Sequence, residues 1–447
     1  MTLHPAAGVA IVLVLLGSLL GALRLVQIKW APHPELVRKL LHVAMGLVTL
    51  TFPWLFDSPW PVVSLAVMAA GGMLAVRRFA ALRSGVGSVV HGVERESGGE
   101  IYFPLAVAAV FYLSRGDPVL YTIPVLLLTL ADALAALIGV RYGQLKFATF
   151  EGARKSLEGA VAFFLTAFLC THVTLLLATE VGRVETLLIG IETGFLVMLV
   201  ELVAWKGLDN LFIPLFSFAV LYNIQYLGTL ELTNRLAVLV LLSVFFFLWR
   251  RRTTLDLSAT IAALLIAYVM WAIGGLEWLA PAAACFATYA ILWPEDRARL
   301  GQVHDLRGVM SFSAVALVWL FLSTRHPELD WAYLGTVAFA VQLAAIGRAA
   351  SHQPGADAWG LRAFVRCTLV GWVVPFIPFV LLRGFDTPVL QLAAAAIPAV
   401  AVALAAFSTR WTGLSGSPHS MRRWVVQAAA SGVGSLLALA PWILLQR

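Results

Sequence analysis

Residues Val119–Val140 read VLYTIPVLLLTLADALAALIGV, a 22-residue apolar run whose one charged side chain is Asp132. A bilayer core about 30 Å thick is crossed by roughly 20 apolar residues in helical form. Backbone polar groups inside lipid must be satisfied within the segment, so this run is expected to be a transmembrane helix. A carboxylate inside it is costly to retain, which makes Asp132 a candidate functional residue.

The same pattern recurs outward from that run. The 447 residues are 61% hydrophobic and 12% charged, with a mean hydropathy of +0.89, far from the balance of a soluble globular domain. The sequence predicts an all-α, polytopic transmembrane helical bundle of about sixteen spans. They fall near 8–28, 38–52, 60–76, 100–114, 119–140, 158–178, 187–204, 211–228, 235–249, 255–273, 276–293, 308–323, 332–349, 364–382, 388–407 and 424–445. Those at 38–52 and 100–114 are short enough to be tilted or re-entrant. The first run, Gly8 to Ala22, lacks a basic leading segment and a clear small-residue cleavage site, so it is expected to be a span rather than a removed signal. Cys170, Cys285 and Cys367 lie far apart in apolar segments without metal-ligand spacing, as expected of core thiols.

A net charge of +7 and a pI near 9.5 raise the question of nucleic acid. The cations sit in the breaks between apolar runs, not on aromatic-interleaved stretches, which predicts no nucleic-acid partner. One face collects Lys29, Arg38, Lys39, Arg77, Arg78, Arg83, Arg95, Arg141, Lys146, Arg154, Lys155, Lys206 and Arg250–Arg252, while the other holds little beyond Arg115, Arg183 and Arg235. That bias assigns the first face to the cytoplasm and places both termini outside. Arg250–Arg252, closely following Phe245-Phe246-Phe247, offers the best internal boundary and divides the chain into 1–252 and 253–447.

Five clusters in the first part carry candidate chemistry, all on the expected cytoplasmic face. In Glu35-Leu-Val-Arg38-Lys39-Leu-Leu-His42-Val-Ala-Met-Gly46, helical spacing puts Lys39, His42 and Gly46 on one face, a cationic cap beside a small-residue gap. A basic interfacial anchor accounts for Arg38 alone but less well for the deeper His42. The loop ending Glu96-Ser-Gly98-Gly99-Glu100 can fold over a ligand or simply start a helix. Asp132, Ala136, Gly139 and Gly143 form a stripe that either admits a phosphate to the backbone or packs a neighbouring helix. Lys146 and Glu151-Gly152-Ala153-Arg154-Lys155-Ser156-Leu-Glu158-Gly159 place cations and a hydroxyl at a helix N-terminus, an anion site, with Glu158 positioned to orient Lys155 or hold a metal. Glu201, followed by Lys206-Gly-Leu-Asp209-Asn210 and Pro214, adds the oxygen ligands that a nucleotide-bound magnesium uses, though an Asp-Asn turn between helices explains the pair too. Cations for phosphates, oxygen ligands for magnesium and lipid-facing helices for an apolar acceptor are the parts that phosphoryl transfer requires.

These residues resemble the polyprenol, dolichol and phytol kinases, a family related to the CTP-using phosphatidate cytidylyltransferases. The resemblance rests on Arg38-Lys39-x-x-His42, on Asp132-Ala-x-Ala with Gly139 and Gly143, on Lys155-Ser156-x-Glu158-Gly159, and on Glu201 with Asp209-Asn210-x-x-x-Pro214. It covers roughly residues 30–225 and implies CTP, or another nucleoside triphosphate, as donor, with Mg2+. The acceptor it implies is the terminal hydroxyl of a long-chain isoprenoid alcohol such as phytol, geranylgeraniol or a polyprenol, presented by membrane lipid at the cytoplasmic face of a multi-pass inner-membrane protein. It assigns Asp132, Lys155, Glu158 and His42 to catalysis. Arg38, Lys39, Gly139, Gly143, Lys146, Arg154, Ser156, Gly159 and Glu201 are expected to contact the nucleotide, and Asp132, Glu158, Asp209 and Asn210 the metal. A cytidylyltransferase acting on a lipid phosphate is the alternative, but the chain has no Lys-Asp, Pro-Gly-His-Gly-Gly and Asp-Arg-x-Asp signature downstream. A secondary transporter is the other; transporters set polar residues near the midplane in paired halves, whereas these cluster at one face of one half.

Residues 253–447 weakly resemble the phytyl-phosphate kinases through Leu257-Ser258-Ala259-Thr260, Gly274-Gly275, Trp278 and Gly301-Gln302-Val303. Where that family would carry acidic residues, the chain reads Phe339-Ala-Val-Gln342-Leu-Ala-Ala-Ile-Gly347-Arg348, so a degenerate or structural half is expected. Its charges, including Glu295, Asp296, His304, Asp305, Arg307, Glu328 and Asp330, fall in breaks where solvation accounts for them. Truncation near residue 252 is therefore expected to leave alcohol phosphorylation, with a monophosphate as product. Mass spectrometry showing a diphosphate made by the full chain and lost on truncation would contradict that.

Overall fold

The computed structural model describes residues 4–30, 34–79, 98–292, 304–352, 361–384, 388–411, 420–440 and 443. Most of the expected glycine–carboxylate loop, including Glu96, lies outside the described residues, as do Glu295, Asp296 and Gly301-Gln302-Val303. The chain is divided into two compact units, Met1–Ala237 and Val238–Arg447.

In the first unit the helices are α1 (Pro5–Trp30), α2 (Pro34–Thr49), the single turn α3 (Phe52–Leu55), α4 (Pro59–Arg78), α5 (Gly99–Ser114) and α6 (Pro118–Leu126). A π-helical turn, Leu127–Ala131, then leads into α7 (Asp132–Tyr142). A two-stranded antiparallel hairpin, β1 (Lys146–Ala148) and β2 (Arg154–Ser156), precedes α8 (Leu157–Ala178), α9 (Arg183–Val203), α10 (Asp209–Ile224) and the start of α11 (Thr229–Trp249). The second unit continues from α11 through α12 (Leu257–Leu292), α13 (Leu306–Ser323), α14 (Asp330–His352), α15 (Leu361–Arg383), α16 (Pro388–Trp411) and α17 (Met421–Leu437).

A helical membrane bundle is what the sequence predicts, but the span count differs. Among the described residues ten helices are long and apolar enough to cross a membrane, not sixteen. Four further apolar helices, Gly99–Ser114, Asp209–Ile224, Asp330–Ile346 and Ala395–Ser408, have only 10–17 residues. The runs expected as 255–273 and 276–293 are the two helical parts of α12, which breaks between them at Gly275, whose φ of 69° and ψ of −163° suit only a residue without Cβ.

Lipid tails are as apolar as leucine, so helices in a bilayer associate through close packing and internal polar contacts. Leu13, Val14, Leu25, Leu165, Leu169 and Leu177 accordingly face outward, while Phe103, Val110, Ile123, Leu127, Phe163, Ile189 and Ile213 form the centre of the first unit. Two close approaches position the site. On α9, a Cβ added at Gly194 would stand 3.0 Å from the Phe168 backbone nitrogen of α8. These antiparallel helices thus pack backbone to side-chain-free surface, bringing the start of α8 beside the end of α9. On α2, Gly46 faces the π turn: a Cβ there would lie 2.1 Å from Thr129 Oγ1 and 2.7 Å from Thr129 Cβ. The Tyr121 hydroxyl donates to the Thr49 carbonyl at 2.8 Å and ties α2 to α6 one turn further on.

In the second unit, Met270, Trp278, Trp319, Leu320 and Tyr333 make one core cluster, and Phe339, Ile346, Cys367 and Val402 another. Its charges are not all solvated as the sequence predicts. Asp305 caps α13 and pairs with Arg307 at 3.1 Å, and Asp330 pairs with Arg383; both aspartates are buried. Gln342 is fully buried, its Nε2 donating to the Ala399 carbonyl at 3.1 Å.

Because Thr129 Cβ itself blocks the Gly46 position, rotating the threonine does not relieve the clash. Gly46→Ala is expected to cost about 1–3 kcal/mol, as overpacking does, and to lower the thermal midpoint in detergent. Gly71→Ala, which would meet nothing within 4 Å, is the control, and equal midpoints for the two variants would contradict the close approach.

Candidate active site

Lys39, in the second turn of α2, extends into the unit and places Nζ 2.6 Å from Asp132 Oδ2 and 3.4 Å from the Asp132 carbonyl. Both residues are buried, at 4% and 5% exposure. His42, one turn along the same face, sets Nε2 3.6 Å from the same carboxylate oxygen and 2.8 Å from the Leu128 carbonyl. A carbonyl only accepts, so Nε2 carries the proton in the tautomer assigned from this contact and the Nδ1 lone pair of neutral His42 is an acceptor. Phe103 closes against the imidazole edge-on, with ring centroids 5.1 Å apart.

The π turn gives Asp132 this position. The Asp132 N–H donates to the Leu127 carbonyl five residues back, which inserts one residue into the turn and rotates the helix beyond it. Pro124, one turn earlier, already lacks a backbone donor. Asp132 sits roughly 15 Å along the helix from Tyr142, at 1.5 Å per residue. It is therefore well inside the span.

Lys155 belongs to the hairpin. Its register pairs Lys146 with Ser156, Phe147 with Lys155 and Ala148 with Arg154. Lys155 is half-buried, while Lys146 and Arg154 are exposed. Lys155 Nζ lies 2.5 Å from Glu201 Oε1 and also donates to the Glu201 carbonyl at the end of α9. Glu158, expected to orient Lys155, does not: its Oε1 accepts the Gln144 and Leu145 N–H groups at 3.0 and 3.1 Å. Lys155 lies in the strand and Glu158 in the helix, so helical spacing does not apply between them. Glu158 Oε2 is shielded from solvent and has no hydrogen-bond partner.

Ser156 caps α8, accepting the Gly159 N–H at 3.1 Å. The glycine stripe meets this cap. Cβ atoms added at Gly139 and Gly143 would stand 3.0 and 2.8 Å from Ser156 Oγ, and one at Gly159 would stand 2.9 Å from the Ala135 carbonyl. Of the two uses that the sequence allows for this stripe, the space beside it is taken by the start of α8.

The hairpin tip is anchored to the α9–α10 connection. Phe150 stands edge-on to Trp205 at 4.7 Å, and Glu151, at φ 55°, pairs with Lys206 at 3.3 Å. The Gly98 N–H donates to the Lys206 carbonyl, and Asn210 Nδ2 donates to the Gly99 carbonyl at 3.0 Å, leaving the amide oxygen of Asn210 as its acceptor. Asp209 Oδ1 accepts the N–H of the next residue, Asn210, at 3.0 Å.

One site thus gathers most of the expected residues. Arg38 lies within electrostatic reach of Asp132, and Asp132 and Asp209 both lie within reach of Glu201. Lys146 and Arg154 stand on the exposed face of the hairpin. Among the described residues no three His, Cys, Asp or Glu side chains converge as a preformed metal cage. The sequence pattern left Glu192 of α9 unremarked: it is fully buried and lies 3.8 Å from Arg235. Its signal, a carboxylate inside an apolar run, was as plain as that of Asp132.

Fold and site together define a helical membrane protein with a buried lysine–aspartate–histidine centre inside its first unit. A phytol kinase of Synechocystis sp. is 30% identical over 203 residues, which are 43% of this chain and 81% of that relative. The chain belongs to the phytol and polyprenol kinase family. No family model and no solved structure matches it.

Removing one partner of a desolvated pair strands the other charge, at about 3–5 kcal/mol. Lys39→Met is expected to lower the thermal midpoint sharply, and Lys39→Met with Asp132→Leu to recover most of the loss. A double variant no more stable than Lys39→Met would show that the two charges are not a coupled unit.

Proposed function

We propose that the chain is a nucleoside-triphosphate-dependent kinase, with CTP as donor, that phosphorylates the terminal hydroxyl of a long-chain isoprenoid alcohol at the cytoplasmic membrane face. The observation that carries this reading is the convergence of Lys39, His42 and Lys155 on Asp132 and Glu201. Family membership supports the acceptor class, since the relative is a phytol kinase. The cation bias of the connecting segments supports the cytoplasmic face.

Magnesium is usually held by one or two carboxylates and by the substrate's phosphates, not by an all-protein cage. The donors here fit such a shared site. Asp132 and Asp209, the latter next to Asn210 at the start of α10, both lie within electrostatic reach of Glu201. Glu158 turns to the Gln144 and Leu145 N–H groups, roughly 15 Å of helix from Asp132, so the two do not share an ion; Asp132, Asp209 and Asn210 are the candidates to hold it. Bound there, it would neutralise phosphate charge.

Lys155 and Lys39, each now paired with a carboxylate, are the cations available to phosphate oxygens, with Arg38 behind Lys39. The alcohol oxygen forms a bond to the terminal phosphorus as the bond from that phosphorus to the nucleoside diphosphate oxygen breaks. The hydroxyl proton passes to His42 Nδ1, while Asp132 and the Leu128 carbonyl hold the Nε2 side of the ring.

Asp132→Asn strands Lys39 and is expected to lower the thermal midpoint; in the protein that remains folded, kcat is expected to fall by about a hundredfold or more, the scale of a lost acid–base or orienting group. Lys155→Ala is expected to raise the KM for CTP or lower kcat. Wild-type turnover in Asp132→Asn, or unchanged kinetics of Lys155→Ala across a nucleotide titration, would contradict these roles.

A further inference from the structure

The second unit encloses a cavity of about 460 Å3, within the range of small-molecule sites. Its deep wall is apolar, built from Phe245, Phe286, Phe312, Met270 and Ala316. One end differs. Tyr289, His304, Arg423, Trp424 and Gln427 line it, where α13 and α17 begin, whereas Phe312 and Ala316 lie further along α13.

This polar end is constructed. His304 Nδ1 lies 2.8 Å from the Thr254 hydroxyl and 3.2 Å from the Tyr289 hydroxyl, which fixes the ring. A parallel bridge between Leu255 and His304 fixes the backbone beneath it. The Arg423 guanidinium stands 4.8 Å over the buried Trp424 ring, which in turn meets His304 edge-on at 5.9 Å. Gln427 Oε1 is shielded from solvent without a hydrogen-bond partner. A buried amide oxygen left this way is destabilising, so a ligand bearing a proton on its polar head is what this lining lacks. Arginine asks that the same head carry negative charge.

We propose that the second unit binds a single-chain amphiphile with an anionic head, its hydrocarbon chain filling the apolar cavity and its head at Arg423, His304 and Gln427. A lipid monophosphate and a fatty carboxylate share this chemistry. A singly protonated monophosphate offers both the charge and the proton. The unit is then a lipid-binding module in its own right, whatever the first unit phosphorylates.

The test uses the full chain in phosphatidylcholine nanodiscs without nucleotide, so that its outcome is separate from that of the kinase reading. Radiolabelled hexadecyl phosphate, palmitate and hexadecanol are the probes. Saturable binding of an anionic probe, at least about tenfold tighter than hexadecanol and weakened about tenfold or more by Arg423→Gln, is expected for loss of a charge-assisted contact. The tighter of the two anions identifies the source of the head. Cys285 lines the cavity, so in a Cys170→Ser, Cys367→Ser background hexadecyl phosphate should slow its labelling by an N-alkylmaleimide, with Arg423 intact. Uptake no greater than in protein-free nanodiscs, equal affinity for charged and neutral probes, or Cys285 labelling unchanged at saturating probe would overturn the proposal.

Discussion

The buried ion pair between Lys39 and Asp132 is the contact on which the first unit turns. Each ion alone would carry a desolvation penalty of several kcal/mol, so each side chain is stabilised there by the other. Geometry must then bring α2 and α7 together to within 2.6 Å of N–O contact. Three local features meet that demand: the missing side chain at Gly46, the hydrogen bond from Tyr121 to Thr49, and the π turn that re-aims Asp132. A π turn inside an α-helix is frequently a functional feature. Here it also releases the Leu128 carbonyl toward His42.

Lys155 and Glu201 repeat the arrangement at the second wall. Cations and carboxylates neutralise one another there; under the proposed function an incoming polyphosphate would offer the lysines other partners and a metal would offer the carboxylates one. Electrostatic stabilisation of this kind depends on groups held before the reaction starts. Rigid supports hold them: backbone-level packing of α8 on α9, and a hairpin pinned at its tip by Phe150 against Trp205 and Glu151 to Lys206.

Much of this was legible in the sequence, for a physical reason. Ionisable groups in apolar runs are expensive, so Asp132, His42 and Glu201 announce themselves, and helical periodicity correctly groups Lys39 with His42. Partners distant in the chain are not encoded by spacing. Lys155 meets Glu201 across 46 residues, while the nearer Glu158 turns to backbone N–H groups. Strands of three residues are too short to show a period of two, so the hairpin read as the start of a helix. The Gly139–Gly143 stripe permitted a ligand or a helix, and only the position of Ser156 decides the matter. In the second unit, expectation failed where charges in connecting segments proved buried: Asp305 and Asp330 have arginine partners that the sequence alone does not reveal.

The central claim is that the lysine–aspartate–histidine centre transfers a phosphoryl group to a lipid alcohol. Purified full-length protein in detergent or nanodiscs, supplied with magnesium and CTP labelled in the γ-phosphate, should convert at least one of phytol, geranylgeraniol, farnesol and a polyprenol to its labelled monophosphate. Release of CDP should match that product one for one. No labelled lipid from any of these alcohols with CTP, ATP, UTP or GTP, in protein that keeps its thermal transition, would contradict the account.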